Sequence, residues 1–398
     1  MQSISLVFFV SSSVYLEIMQ KFYQDFKLGV LGGGQLGRML IRSCVNFNIH
    51  TNVIDPDPNA PCAGIANEFV NGSLTDFDTV YDFGKKVDLL TIEIENVNVE
   101  ALEKLEQEGV KVYPQPSAIK LIQDKRIQKQ FYLDHGIPTA EFVLTDNLEA
   151  VEKNRDFLPA FQKIGKGGYD GGGVQRLTSS DDLKKAFDAP SLLEKAVDFE
   201  KEIAVIVSRN PQGEISAYPA VEMVFHPEHN LVDYLLAPAR LNDDIELKAL
   251  EIAKKVIAKL DMVGILAVEM FVTKEGEILV NEVAPRPHNS GHQTINASFT
   301  SQYEQHLRAI LDLPLGSTFT KKPSAMVNLL GEDGYTGMAI YEGLEDVLAI
   351  EGVNLMLYGK KITKPHRKMG HITILGEDYR SLEEKVERVK KTIKVKSL

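Results

Sequence analysis

Two glutamates, Glu269 and Glu282, lie in apolar stretches on either side of Lys274-Glu275-Gly276. If Glu275-Gly276 is the centre of a two-residue hairpin turn, the two carboxylates stand directly opposite on one face, about 5 Å apart at Cβ. Like charges so placed repel unless a cation sits between them, and a Mg²⁺ shared with nucleotide phosphates meets that need. The competing reading is a bulge that slips the register and turns one glutamate to solvent. Directly downstream, Ala284-Pro285-Arg286-Pro287-His288-Asn289-Ser290-Gly291-His292 is kept out of regular structure by its prolines. Arg286 is a fixed cation that can clamp an anion, and His288 or Asn289 can hydrogen-bond a developing negative charge.

Two glycine-rich loops carry further signals. Gly32-Gly33-Gly34-Gln35-Leu36-Gly37 follows an apolar run, opens a helical pattern, and has Asp55 18 residues beyond it. That is the spacing of a dinucleotide fingerprint, and equally of a tight strand-to-helix turn; either way it predicts an anion site at the start of the Gln35 helix. The second loop runs from Lys163 to Gly173, and its nine residues from Gly165 onward include six glycines. With no Ser or Thr after a Gly-Lys pair it is not a Walker A loop, but its backbone N–H groups suit a flap over phosphates, with Lys163 as a point charge.

Short apolar runs alternate with helical patterns from Lys27 to Tyr113, which predicts a parallel α/β domain closing near Pro114-Gln115-Pro116. A single helix is expected over 117–135, then strands near 139–144, 158–164, 191–194, 203–208, 265–272 and 277–283, with helices over 148–155 and 243–260. After Pro314 short strands and glycine turns end in a helix over 381–393. The Lys-rich stretch 385–396 alternates with Val386, Val389, Ile393 and Val395, as an amphipathic terminal element does. Residues 4–10 are apolar, but no Lys or Arg precedes Lys21, so residues 1–26 read as an extension rather than a secretion signal, with Met19 an alternative start.

The chain has 398 residues, 44% of them apolar and 25% charged, with a formal net charge of −12. This fits two or three domains with a sizeable core and argues against a general nucleic-acid coat. Two cysteines, Cys44 and Cys62, are too few for a disulfide framework, which points to a reducing, cytoplasmic setting, and no stretch has the apolar length of a membrane span.

Taken in order, Gly32 to Met39, Gly168-Tyr169-Asp170-Gly171, Asn281 to His292 and Arg367-Lys368-Met369-Gly370-His371 resemble the ATP-grasp superfamily and, within it, the family of 5-(carboxyamino)imidazole ribonucleotide synthases. The resemblance implies a mixed α/β and α+β architecture. A Rossmann-like pre-ATP-grasp domain would span 27–116, an ATP-grasp domain 117–314 with a lid at about 139–190, and a small mixed segment 315–398. It implies ATP contacts from Lys125, Lys163, the loop Gly168, Tyr169, Asp170, Gly171, Gly172 and Gly173, a hinge at Glu194, Lys195, Ala196 and Val197, and Glu202, His226 (or His229), Asn281 and Glu282. Glu269 and Glu282 would hold Mg²⁺ or Mn²⁺. Gln35, Leu36, Glu93, Glu95, Arg286, Lys360 and Arg367 would contact the aminoimidazole ribonucleotide, and Tyr169, Asp170, Arg286, His288 and Asn289 would surround bicarbonate and the reacting amine.

The implied reaction is carboxylation of 5-aminoimidazole ribonucleotide by ATP and bicarbonate through carboxyphosphate, without biotin. The enzyme would be a homodimer of purine biosynthesis with small-molecule partners only. The nearest rivals are other ATP-grasp ligases, such as a formate-dependent phosphoribosylglycinamide formyltransferase or a biotin-carboxylase-type enzyme. A nicotinamide dehydrogenase would use the first glycine loop but leave the second loop and the glutamate pair idle. A non-catalytic nucleotide-binding partner protein would leave the Arg286 segment without a task.

Overall fold

The computed structural model describes residues 26–168, 172–225 and 232–398. Its first layer runs β1 (Lys27–Leu31), α1 (Gln35–Asn46), β2 (His50–Asp55), β3 (Glu68–Asn71), α2 (Phe77–Gly84), β4 (Leu89–Ile92), α3 (Val99–Gln107) and β5 (Lys111–Val112). The strands form a parallel sheet in the order β3-β2-β1-β4-β5. Strands β1, β2 and β4 are almost wholly buried; β1 and β4 are mostly apolar, as parallel strands covered on both faces should be, while β2 buries Thr51 and Asn52 beside Val53 and Ile54. Strand β3 was not expected; this exposed edge strand, Glu-Phe-Val-Asn, has neither a buried run nor a clean alternation.

Two helices, α4 (Pro116–Ile122) and α5 (Lys125–Asp134), replace the single one expected over 117–135. The break is chemical. Asp124 caps α5 by accepting from the Arg126 N–H at 3.0 Å, and Gln123 Nε2 donates to Glu95 O and Val97 O. Breaking there sets Lys125 at the head of α5.

A four-stranded antiparallel lid follows, built from β6 (Phe142–Thr145), β7 (Ala160–Ile164), β8 (Val174–Leu177) and β9 (Ser191–Lys195) in the order β6-β9-β7-β8, with α6 (Leu148–Lys153) beside it. The main sheet takes β10 (Phe199–Arg209), β11 (Ile215–Ala217), β12 (Val221–Phe225), β13 (Val232–Ala237), β14 (Gly264–Thr273) and β15 (Ile278–Ala284). Helix α7 (Asp243–Lys259) buries Ala249, Ala253, Val256 and Ile257 against Val205, Val207, Leu266 and Val268 of that sheet. The short α8 (Thr294–Ala297) and then α9 (Gln302–Ile310) lead back to the first layer, where Tyr303, Leu307 and Ile310 pack on Leu36, Met39 and Leu40 of α1.

The C-terminal segment contains β16 (Ser324–Leu330), β17 (Gly337–Glu342), α10 (Leu344–Leu348), β18 (Val353–Leu357), β19 (Ile362–Thr363), β20 (Lys368–Leu375), α11 (Tyr379–Thr392) and β21 (Lys394–Ser397). Strands β16, β20 and β18 continue the main sheet beyond β13, giving the path β15-β14-β10-β12-β13-β16-β20-β18. The Lys-rich tail is therefore two elements: α11 buries Leu382, Val386 and Val389, and β21 pairs with β17. Among the described residues no helix is long and apolar enough to cross a membrane.

Candidate active site

A cleft of about 890 Å³ opens between the first layer, the lid and the main sheet. Its lining includes Lys125, Lys163, Gly168, Lys195, Val197, Glu202, Glu269, Asn281, Glu282, Arg286, His288 and Glu95, so most of the expected residues converge. Such a volume suits a nucleotide with a small second substrate beside it.

Glu269 and Glu282 face each other across β14 and β15, as expected, but by another route. Thr273 N–H donates to Glu277 O at 2.9 Å, so the loop holds three residues, with Gly276 at φ +77°. That loop pairs Val272 with Ile278 and Met270 with Val280, and an unbroken ladder would set Glu269 opposite Asn281. A one-residue bulge at Asn281 restores the Glu269–Glu282 pair and lets both Asn281 and Glu282 reach the cleft. The bulge feared as the competing reading is thus present, and it makes the pair.

Around this pair the charges interlock. Burial pushes the Glu269 carboxyl up, and Glu282 and Glu202 add to the effect. Glu202 is pushed up to about 7, by burial first and by Glu282 second. Lys125 Nζ stands 3.9 Å from Glu282, and His288 Nε2 3.4 Å from Glu269. The Ser290 N–H donates to His288 Nδ1 at 3.3 Å, which leaves the proton of the neutral ring on Nε2, facing Glu269. Burial, with Arg286 and Lys368 nearby, holds His288 well below the usual imidazole range. No group of three or more His, Cys, Asp or Glu side chains suited to a metal occurs among the described residues. A pair of facing carboxylates that need a counter-charge, beside a nucleotide-sized cleft, fits a Mg²⁺ whose other ligands would come from nucleotide and water.

Arg286 is clamped by Glu95 at 2.9 Å and donates to Pro287 O, while its Nε is buried without a hydrogen-bond partner among the described residues. Asn289 opens a short turn after His288, and its buried Oδ1 likewise has no partner there. Glu194 lines the cleft, as expected of the hinge, but its carboxylate is already engaged. Its two oxygens are taken by Lys163 at 2.8 Å and Lys129 at 2.5 Å, so only the backbone of the segment ending at Val197 is left for a base. Lys163 also donates to Asn281 Oδ1 at 3.0 Å.

Five of the expected ribonucleotide contacts do not line this cleft. Glu93 accepts from the N–H groups of Gly34 and Gly37, both at 2.6 Å, and Asp55 from Gly33 at 2.7 Å. The expected anion site at the head of α1 is therefore filled by the protein's own carboxylate, and Glu93 is not on the cleft wall. Leu36 is packed into the core. Lys360 donates to Lys368 O, and Arg367 donates to Ile362 O from an exposed position. Neither lines the cleft, nor does Gln35. Gly172 and Gly173 sit at the base of the flap ahead of β8, and Ala196 donates its N–H to Pro159 O. Tyr169, Asp170, Gly171, His226, His229 and residues 1–25 lie outside the described residues.

Reading the sequence missed Lys129, a lysine inside a polar helical stretch that nothing local distinguishes. It also passed over Lys368, which acts on Glu269, His288 and His292 although its neighbour Arg367 was the one chosen.

Three family models match in order: a ribonucleotide synthetase pre-ATP-grasp domain over 26–123, an ATP-grasp domain over 130–303, and a phosphoribosylaminoimidazole carboxylase C-terminal domain over 324–385. The N5-carboxyaminoimidazole ribonucleotide synthase of Bacillus subtilis is 38% identical, over 90% of this chain and 93% of its own length. The chain belongs to the N5-carboxyaminoimidazole ribonucleotide synthase family. Among solved structures, the N5-carboxyaminoimidazole ribonucleotide synthetase of Thermotoga maritima superposes with a TM-score of 0.87 at 45% identity, covering 94% of this chain and 100% of that one. The Aspergillus clavatus synthase, in complex with ADP and 5-aminoimidazole ribonucleotide, does so at 0.84 and 36%, covering 93% and 98%. The chloroplastic phosphoribosylaminoimidazole carboxylase of Vigna aconitifolia is 40% identical over 89% of this chain, which spans 65% of that longer relative. The ATP-grasp architecture with its pre-ATP-grasp and C-terminal domains is thus that of the synthase family.

Proposed function

We propose that this chain is an ATP-dependent ligase that carboxylates 5-aminoimidazole ribonucleotide with bicarbonate, through carboxyphosphate, in purine biosynthesis. One observation carries the reading: the Glu269–Glu282 pair lies in a single cleft with Lys125 and Lys163 and with the Arg286–Glu95 clamp. A metal pair, phosphate-binding lysines and an anion clamp are the parts that phosphoryl transfer to bicarbonate needs.

In this reading Lys163 and Lys125 take the ATP phosphates, Glu202 the ribose and the backbone of 195–197 the adenine, and the resemblance assigns the loop from Gly168 to Gly173 to the same phosphates. Tyr169, Asp170 and His226 are assigned to the same site by the resemblance. Glu269 and Glu282 would hold Mg²⁺ or Mn²⁺, which when bound would neutralise charge on the β- and γ-phosphates. Arg286, oriented by Glu95, holds bicarbonate and then the carboxyphosphate anion, with Asn289 beside it. Neutral His288 keeps its Nε2 proton toward Glu269. Lys368 adds a second positive charge to this end. Carboxyphosphate is short-lived in water, so the lid's task is to exclude solvent until the carboxyl group meets the amine. The remaining boundaries follow the domain reading given above, and we place the enzyme in the cytoplasm as a homodimer with no biotin.

The test is ADP release with bicarbonate or formate, each with and without 5-aminoimidazole ribonucleotide. Turnover is expected only with bicarbonate and the ribonucleotide together. Formate-dependent ADP release would favour a formyltransferase, and release that requires biotin would favour a biotin carboxylase.

A further inference from the structure

Lys129 is 3% exposed at its side chain and lies behind the cleft wall rather than on it. Its ammonium is 2.5 Å from Glu194 Oε2, donates to Thr139 Oγ1, and stands 3.4 Å from Val280 O. Glu194, itself 4% exposed, gives its other oxygen to Lys163, whose Nζ is on the cleft wall. The three groups form a row running from the interior to the cleft: ammonium, carboxylate, ammonium.

The charge count along that row matters more than any single contact. Two positive charges and one negative leave a surplus of one, and of the two lysines only Lys163 lines the cleft, beside Glu194. Without Lys129 the row would be a neutral Glu194–Lys163 pair, and Lys163 would bring a phosphate little net attraction. A buried ammonium is expensive to hold, and a position needing only packing between α5 and β15 would be served as well by an apolar side chain.

We propose that Lys129 is a positioning residue for nucleotide binding: it neutralises Glu194 from behind, so that Lys163 meets the phosphates with its charge undiminished while Glu194 and Asn281 fix its direction. This rests on the reading of the cleft as the ATP site. Lys129 touches no substrate, and its effect is expected in nucleotide affinity and in the KM for ATP rather than in kcat.

The test is ADP titration by calorimetry on the full-length chain, with steady-state kinetics alongside. Lys129→Met is expected to weaken ADP binding and raise the KM for ATP by about tenfold, with kcat changed less. The double variant Lys129→Met with Glu194→Gln restores the surplus of one positive charge and keeps an acceptor for Lys163, so it is expected to recover affinity to within about threefold of wild type. The double variant also avoids leaving a buried carboxylate half-paired, so it remains informative if the single variant folds poorly. Unchanged affinity in Lys129→Met, or a double variant as weak as the single one, would overturn the proposal in favour of a packing role. Failure of the wild-type chain to bind ADP would instead overturn the nucleotide reading of the cleft.

Discussion

Glu93 shows how one residue can redirect a motif. A Cβ on Gly32 would lie 2.4 Å from the Glu93 side chain, and one on Gly34 2.6 Å from its Oε1, so these glycines make room for a carboxylate rather than for a dinucleotide. The carboxylate stands where a phosphate would stand in a dinucleotide fold, at the crevice between β1 and β4 where the strand order reverses. Replacing it should therefore harm stability more than binding. Glu93→Gln is expected to cost about 1–3 kcal/mol, because one of the Gly34 and Gly37 donors loses its acceptor, while ADP affinity stays within about twofold; thermal unfolding and ADP titration together decide, and a stable variant with lost nucleotide binding would contradict the assignment. Glu282 makes the opposite prediction. Its side chain is half-exposed and pairs only loosely with Lys125, so Glu282→Gln should leave the fold intact. Bicarbonate-dependent ADP formation should fall by at least about a hundredfold through loss of the metal-holding pair, and near-normal turnover at saturating Mg²⁺ would refute that role.

Among the elements, those legible in the sequence were the ones whose partners are local. Strands β1 and β4 announce themselves as apolar runs followed by helical patterns, and Asn98, Asn147 and Asn242 mark helix starts through caps seen in the structure. What stayed hidden depended on contacts remote in sequence. The break at Gln123-Asp124 is fixed by Glu95 and Val97 of the first layer, and the bulge at Asn281 answers to Lys163 in the lid. Nor did the sequence reveal that β16 continues the main sheet, since β13 and β16 pair across more than eighty residues. That pairing makes a prediction about the C-terminal segment. Deleting residues 314–398 strips β16 from β13 and removes the packing partners of Leu236, including Ala325, Ile372 and Ile374. The remaining chain should not fold by itself, because a long sheet edge and an apolar face would be left open. A truncated chain that is monodisperse, cooperative in melting and able to bind ADP would show that the C-terminal strands are an accessory instead.

For the whole molecule the formal charge of −12 describes the outside, while the cleft is governed by a few cations set against buried carboxylates. The layers themselves are joined by groups that must stay uncharged. His306 of α9 meets Thr91 of β4 at 2.9 Å, and burial depresses its imidazole to about 3. His371 of β20, stacked on His292 with ring centres 4.7 Å apart and bonded to Tyr358, is also depressed to about 3, by burial first and by Arg42 second. In the unfolded chain both would titrate near 6.5. A histidine whose folded value is depressed is proton-free when folded and protonated when unfolded between those two values, so its contribution to stability is complete above about 6.5 and is lost as the pH falls toward 3. Each such imidazole makes stability fall by about 1.4 kcal/mol per pH unit across that window. His306→Gln keeps a hydrogen-bonding group beside Thr91 but cannot take up the proton, so proton uptake on unfolding between pH 6 and 4 should drop by about one. Chemical denaturation of the full chain at a series of pH values measures that slope directly, and an unchanged slope would mean that the junction between α9 and β4 opens to water before the rest of the molecule unfolds.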